Sequence, residues 1–382
     1  MEYPLEKAVS PKSKKPVAII AAIFALVVVF AGGYLLLNRN SGFTIVSPFS
    51  NKDKFDVGGM SKKVINPLTG ILYSEKDAES WVNERPLGFM INNYIDARPQ
   101  SNLSKADLVY EVVAEGGITR FLAFYLTETP TKVGPIRSTR EYYLVLVKEL
   151  SDAMIMHWGY SPQALEAIET WPVRSLFVGG AGSETYCPGC TWRDNPRDVA
   201  VEHTLYGNGQ KLRERAVELG WEGKGEISIW KFKDDLSEYA DAQVANDISI
   251  DFWFEGDYSG IFKYNPETNE YLRFTGFDQD GNPIAHVDEE GPQVSVKNVI
   301  VQFAVESGVE GDDKNRLEYE LVGSGEALIF VDGKVIPATW VKEERDSRTM
   351  YYDTNGEEMM FNRGKFWIAI VPDRNMDQVL YQ

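Results

Sequence analysis

At 382 residues the chain has room for about two to three domains of ~150 residues. Hydrophobic residues at 43% and aromatics at 12% supply packed cores and exclude a disordered chain. A formal charge of −18, from 57 acidic against 39 basic residues, excludes a protein that holds nucleic acid through its phosphate backbone. Two cysteines are too few for a disulfide scaffold, and three histidines leave little for a multi-histidine metal centre.

Residues 1–16 form a basic tail, with Lys7, Lys12, Lys14 and Lys15 against Glu2 and Glu6. From Val17 to Leu37 runs VAIIAAIFALVVVFAGGYLLL, uncharged and long enough at ~1.5 Å per residue to cross ~30 Å of hydrocarbon. This predicts a single transmembrane anchor at 17–37. The positive-inside rule keeps the tail cytoplasmic and the C-terminal bulk extracytoplasmic, so the protein belongs to the cell membrane. A signal peptide cut near Val29-Phe30-Ala31 is the competing reading, but the apolar run continues past Ala31 to Leu37. No cysteine directly follows the run to accept a lipid. Residues 38–64 mix Ser, Gly, Asn and Lys without sustained periodicity and read as a linker.

Residues 65–247 mix strand and helix signals. Asn66-Pro67-Leu68-Thr69-Gly70 is turn chemistry, and Ser74 opens a short helix with Asp77 three residues on. Leu87–Ile91 is a short apolar strand. Leu108–Ala114 and Ile118–Leu126 form a hairpin across Gly116-Gly117. If Glu115 pairs with Ile118, then Glu111, Val113, Glu115, Ile118, Arg120 and Leu122 share a face, and Arg120 lies diagonal to both glutamates. Two readings stay open for this face: a structural ion cluster, or the polar floor of a ligand site.

Arg137-Ser138-Thr139-Arg140-Glu141 leads into an apolar-periodic run, and Ser138 with Glu141 has the spacing of a capping box. Two arginines beside a helix N-terminus make the best anion-site candidate in the chain. Ser161-Pro162 starts a second helix, through about Glu169. His157 ends a strand over Ala153–Met156, and His203 precedes a helix over Gln210–Leu219. Cys187-Pro188-Gly189-Cys190 lies in a Gly-rich loop, where a disulfide, a reducible thiol pair and a zinc site with His157 and His203 remain open. No P-loop, GxGxxG, GxSxG or HExxH motif occurs, and no cofactor is expected.

Residues 248–382 read as a β-rich C-terminal domain, sandwich-like or barrel-like. Short runs such as Val294–Phe303, Ala327–Val331 and Phe366–Val371 alternate with turn signals at Asp280-Gly281, Asp332-Gly333 and Asn355-Gly356. Trp253, Trp340 and Trp367 read as core residues. His286 and Asp288 read as the rim of a cleft or as plain surface. The fold class is therefore α+β: an N-terminal transmembrane helix, a mixed α/β external domain, then an all-β domain.

NPLTG (66–70), ARPQSNLSKADLVYEVVAEGGITRFLAFY (97–125), GPIRSTREYY (134–143), HWGYSPQAL (157–165), EHTLY (202–206), then PIAHVD, VKNVIVQ, GEALIFVDGKVIPATW and FNRGKFWIAIVP together resemble the YerB-like family of bacterial lipoproteins. That family is a domain of unknown function with a mixed N-terminal and a β-rich C-terminal part. The resemblance implies an extracytoplasmic domain tied to the membrane. It places Arg98, Glu111, Glu115, Arg120, Arg137, Ser138, Arg140, His157 and His203 on the family's polar motif positions. The family's lipid-acceptor cysteine is missing, which leaves the helix as anchor. Where members often carry Pro-His-Asn, this chain has Glu202-His203-Thr204.

The leading functional expectation is binding of an anionic envelope ligand, a cell-wall polymer, or of an envelope protein. Arg120, Arg137 and Arg140 would supply the positive charge, and Arg98, Glu111, Glu115, His157 and His203 would line the cleft. The rival is an envelope hydrolase or transferase with His157 or His203 as general base and a carboxylate as acid.

Overall fold

Strands covered on both faces carry unbroken apolar runs rather than alternating ones. FWIAIVP is a run of this kind, and LVYEVV and TRFLAFY are apolar but for Glu111 and for Thr119 and Arg120; in the computed structural model all three lie within an 11-stranded sheet. The structure describes residues 44–46, 54–56, 63–179, 185–234, 236–289 and 291–382. The predicted anchor at 17–37 lies outside the described residues, among which no helix is long and apolar enough to cross a membrane. The chain divides into two units, Met1–Lys62 and Lys63–Gln382. In the first, within the stretch read as linker, Thr44–Val46 pairs antiparallel with Lys54–Asp56.

The second unit carries the candidate residues. Its principal elements in chain order are β1 (Leu87–Asn92), β2 (Leu108–Val113), β3 (Thr119–Tyr125), α1 (Glu141–Lys148), β4 (Met154–Met156), α2 (Pro162–Thr170), β5 (Arg174–Ser175) and α3 (Gly209–Glu218). There follow β6 (Gln243–Val244), β7 (Asp247–Ile250), β8 (Gly260–Asn265), β9 (Glu270–Phe277), β10 (Pro283–Ala285), β11 (Ser295–Val296) and β12 (Asn298–Ala304). The last are β13 (Gly323–Val331), β14 (Lys334–Lys342), β15 (Met350–Asp353), β16 (Phe366–Pro372) and β17 (Val379–Tyr381).

The main sheet runs β6-β14-β13-β12-β16-β2-β3-β1-β4-β5, with β15 added on β14. The second, six-stranded sheet runs β10-β9-β8-β7-β17, with β11 added on β9. The fold is mixed with sheets dominant. β16 lies parallel beside β2, so the stretches before and after residue 248 share one sheet. Local signals build the ends of elements: the Ser161 hydroxyl caps α2 by accepting from the Ala164 N–H at 3.1 Å, with Pro162 opening the helix. Asp332 and Gly333, at φ 56° and 69°, turn the chain tightly between β13 and β14.

The main sheet separates two apolar cores. Leu108, Tyr110 and Val112 of β2 join Phe366, Ile368 and Ile370 of β16 and the helices α1 and α2 on one face. Val109 and Val113 join Trp367, Ala369 and the second sheet's Ile248 and Phe262 on the other. Trp340 and Trp367 are buried, whereas Trp253 is half-buried with its indole N–H on Glu306 at 3.2 Å.

The β2–β3 hairpin forms, but one residue out of the predicted register. Val113 faces Thr119 and Val112 faces Arg120. The turn holds three residues, Glu115, Gly116 and Gly117, with both glycines at positive φ (71° and 74°) and the Ala114 N–H bonded to the Ile118 carbonyl at 2.8 Å. A slip of one residue sends every side chain to the opposite face. Glu111 therefore enters the core beneath the second sheet, while Arg120 points to the α1 side.

In that core Glu111 joins the two sheets. Its carboxylate accepts from Arg273 Nη2 of β9 at 2.9 Å, Trp367 Nε1 of β16 at 2.9 Å and Thr119 Oγ1 at 2.8 Å. The Arg273 guanidinium lies 4.3 Å from the Trp367 ring centre and also bonds His286 Nδ1. His286 Nε2–H donates to Gln100 Oε1 at 2.8 Å. His286 is thus buried, neither cleft rim nor plain surface, and because Nδ1 accepts from Arg273 the ring is neutral. Burial, then the charges of Arg273 and Arg98, hold its pKa well below the ordinary value. Asp288 is also internal, accepting from the Leu103 and Ser104 N–H groups at 2.8 and 2.9 Å.

Breaking a buried ion pair from one side leaves an uncompensated charge and costs about 3–5 kcal/mol, whereas replacing both members can be near neutral. Glu111→Leu should lower stability by about that amount, and Glu111→Leu with Arg273→Met should recover much of it, as urea unfolding followed by tryptophan fluorescence will show.

Candidate functional site

The three-residue turn that moves Glu111 inward leaves Glu115 at the hairpin tip. There its carboxylate bridges two arginines, taking Arg120 Nη2 at 2.8 Å and Arg140 Nε at 2.5 Å. Arg120 Nη1 also donates to the Ser138 carbonyl at 3.0 Å, and Arg140 Nη1 to the Thr139 carbonyl at 2.7 Å. Burial pushes the Glu115 carboxyl up, but the Arg140 hydrogen bond and the Arg120 charge outweigh it and leave the group below the ordinary carboxylate range. Burial and the like charge of Arg140 lower Arg120.

Arg137 completes the cluster. Its backbone is fixed beside β1, with its N–H on the Met90 carbonyl at 2.8 Å and its own carbonyl accepting from the Trp158 N–H at 3.1 Å. Its half-buried guanidinium has no hydrogen-bond or ion-pair partner among the described residues. Burial lowers its pKa; the Glu202 carboxylate opposes that and Arg140 adds to it. Arg120 and Arg140 thus share one bridging carboxylate, and Arg137 feels the charges of Glu202, Arg140 and Glu115.

Ser138 does not cap a helix. Residues 138 and 139 run alongside 158–160, with the Thr139 N–H on the Gly159 carbonyl at 3.0 Å, and that pairing delays the helix until Glu141. The Ser138 hydroxyl instead donates to the Trp158 carbonyl at 2.9 Å, and Arg140 takes the N-cap position with no side-chain capping bond.

His203 adjoins the same end of the sheet. Asn92, opposite Arg120 in the β1–β3 pair, donates from Nδ2 to His203 Nδ1 at 2.8 Å, so the ring proton sits on Nε2. Tyr94 stacks on this ring at 4.8 Å and 3°. Burial lowers the His203 pKa, opposed by the Glu202 charge.

The remaining nominees lie elsewhere. Glu111 and Arg98 belong to the opposite face of the sheet, where Arg98 donates from Nε to Asn93 at 3.0 Å and from Nη2 to the Asp257 carbonyl at 2.7 Å. Burial and the Arg273 charge bring Arg98 down to about 10. His157 is buried, with Nδ1 2.9 Å from the Gly159 carbonyl and Nε2 2.8 Å from Ser175 Oγ. Neither His157 nor His203 hydrogen-bonds a carboxylate among the described residues. The acid–base pairing foreseen for a hydrolase is therefore not formed by these rings. Cys187 and Cys190 are joined by a disulfide, and among the described residues no group of three His, Cys, Asp or Glu side chains is placed to hold a metal. Asn92, Tyr94 and Ser175 escaped the sequence reading. The asparagine pair closing an apolar strand was the one available signal, and Ser175 carries none.

Burial holds the His157 pKa at about 4, against a hydrogen bond to Gly159 that raises it. The unfolded chain, with histidine near 6.5, binds the extra proton between those values, so this contribution to stability is complete above about pH 6.5 and is lost as pH falls toward about 4. It should amount to about 3 kcal/mol between pH 7 and pH 4. Urea unfolding across that range should show a correspondingly shallower decline for His157→Gln.

Residues 68–222 match the model described as protein of unknown function (DUF3048) N-terminal domain, and residues 248–368 match that of its C-terminal domain. The protein named "Putative lipoprotein YerB" of Bacillus subtilis (strain 168) is 31% identical over 333 residues, covering 85% of this chain and 91% of that protein. A crystal structure of YerB protein from Bacillus subtilis matches with a TM-score of 0.69 and 28% identity, over 84% of this chain and 100% of that one. The two domain matches in order, the extent of the identity and the shared fold together place this chain in the YerB-like family of DUF3048 proteins.

Proposed function

We propose that the protein is a membrane-anchored, extracytoplasmic binding protein whose arginine cluster holds an anionic ligand of the cell envelope. The observation that carries this reading is Arg137: a half-buried guanidinium with no partner among the described residues, beside two arginines that already share one carboxylate. A guanidinium presents a planar fork of donors that fits a phosphate or carboxylate group. Arg120 and Arg140 are organised by Glu115 and supply the field, and Arg137 makes the direct contact. His203, its Nε2 proton unengaged among the described residues, adds a neutral donor at the rim.

The apolar run at 17–37 and the lipoprotein name of the Bacillus subtilis relative support the envelope location. The ligand is a cell-wall polymer carrying phosphate or carboxylate groups, held against a protein whose formal charge is −18.

The full-length protein should cosediment saturably with isolated cell walls, and salt should weaken the binding. Arg137→Ala removes no hydrogen bond of the fold and should weaken binding about tenfold or more, the worth of a hydrogen bond to a charged group. Saturable binding that is unchanged in Arg137→Ala would overturn the proposal. Absence of wall binding by the wild type would overturn the polymer as ligand.

A further inference from the structure

His157 and Ser175 stand apart from the arginine cluster and form a constellation of their own. β4 and β5 are parallel neighbours at one end of the main sheet, with Ile155 paired to Ser175, so the residue just past β4 reaches the Ser175 side chain. His157 Nε2 lies 2.8 Å from Ser175 Oγ, and Nδ1 lies 2.9 Å from the Gly159 carbonyl. A carbonyl can only accept, so Nδ1 carries the proton and Nε2 offers its lone pair to the serine hydroxyl.

The backbone enforces this tautomer. The Gly159 carbonyl also accepts from the Thr139 N–H at 3.0 Å, and Gly159 sits at φ 91° where a Cβ would approach Ser138 Oγ to 2.7 Å. The imidazole is fully buried and the Phe177 ring stacks on it at 5.7 Å and 20°. The base is buried, whereas Ser175 as a residue is half-buried. Beside it the rings of Phe177, Tyr160 and Trp158 make a wall, with Tyr160 and Trp158 5.7 and 5.6 Å from Phe177 and Tyr160 41% exposed. A nucleophile, an oriented base and a partly open aromatic wall are three of the parts that acyl transfer uses.

We propose that Ser175 is the nucleophile and His157 the general base of an acyl-transfer site for carboxylic esters, with the Phe177, Tyr160 and Trp158 rings receiving the acyl group. Ser175 Oγ attacks the ester carbonyl carbon while its proton passes to His157 Nε2. The carbon–alkoxy bond then breaks, and the alkoxide leaves as the alcohol with that proton. Water attacks the acyl-serine with His157 again taking the proton, which returns to Ser175 Oγ as the carboxylic acid departs. The Gly159 carbonyl holds Nδ1–H throughout and stabilises the imidazolium formed at each attack. The ring is neutral at pH 7; burial opposes its protonation, and the hydrogen bond to the Gly159 carbonyl acts against that penalty.

A fluorophosphonate probe tests this on the full-length protein, since it reacts with an activated serine Oγ and leaves a stable adduct that peptide mass mapping locates. The adduct should fall on the peptide containing Ser175, be absent from that peptide in Ser175→Ala, and form about 10²-fold more slowly or worse in His157→Gln. Ser175→Ala removes one half-buried hydroxyl and keeps the test intact should His157→Gln fail to fold. No adduct at Ser175 in the folded wild type would overturn the proposal, as would an unchanged labelling rate in folded His157→Gln.

Discussion

The contact on which the rest of the structure depends is the ion pair between Glu111 and Arg273, buried where the two sheets meet. Removing both charges from water costs several kcal/mol per ion, and the mutual attraction offsets this only with further hydrogen bonds on the remaining lone pairs. Here those bonds come from Trp367 and Thr119 to the carboxylate and from the guanidinium to His286. The groups belong to β2, β3, β9, β16 and the residue following β10, and Gln100 closes the chain through His286. These bonds join strands of both sheets, so the pair fixes how the second sheet sits on the main one.

That arrangement depends in turn on the hairpin turn. A two-residue turn at Gly116-Gly117 would have put Glu111 and Arg120 on one face and collapsed both charge systems into one. The three-residue turn, allowed by two adjacent glycines at positive φ, sends Glu111 to one side of the sheet and Arg120 to the other. The sheet then separates an ion pair sealed from water from a cluster at its rim. Arg98 and His286 fall on the sealed side, and Arg137, Arg140 and His203 on the other.

The rim cluster is polarised by its own composition. Glu115 neutralises part of the charge of Arg120 and Arg140 and in doing so orients them, while the Arg137 guanidinium has no hydrogen-bond or ion-pair partner among the described residues. The acidic remainder of the protein repels anions at long range, but that field is screened over ~8–10 Å at physiological ionic strength.

Much of this was legible along the chain. The apolar runs of β2, β3 and β16, the Ser161-Pro162 helix start and the Asp332-Gly333 turn follow from propensities that act over a few residues, and the motif segments sufficed to indicate the family. The convergence of Arg120, Arg137 and Arg140 with Glu115 was partly legible, because all four lie within one short stretch of sequence. Register was not, since whether a Gly-Gly turn holds two residues or three is settled by which face each strand must bury. The partnership of Glu111 with Arg273, 162 positions away, and that of His157 with Ser175, left no local trace. The sequence by itself determined the elements, the charge balance and the membership; tertiary structure decided which polar groups meet, because burial and hydrogen-bond satisfaction are properties of the packed sheets and not of any one segment.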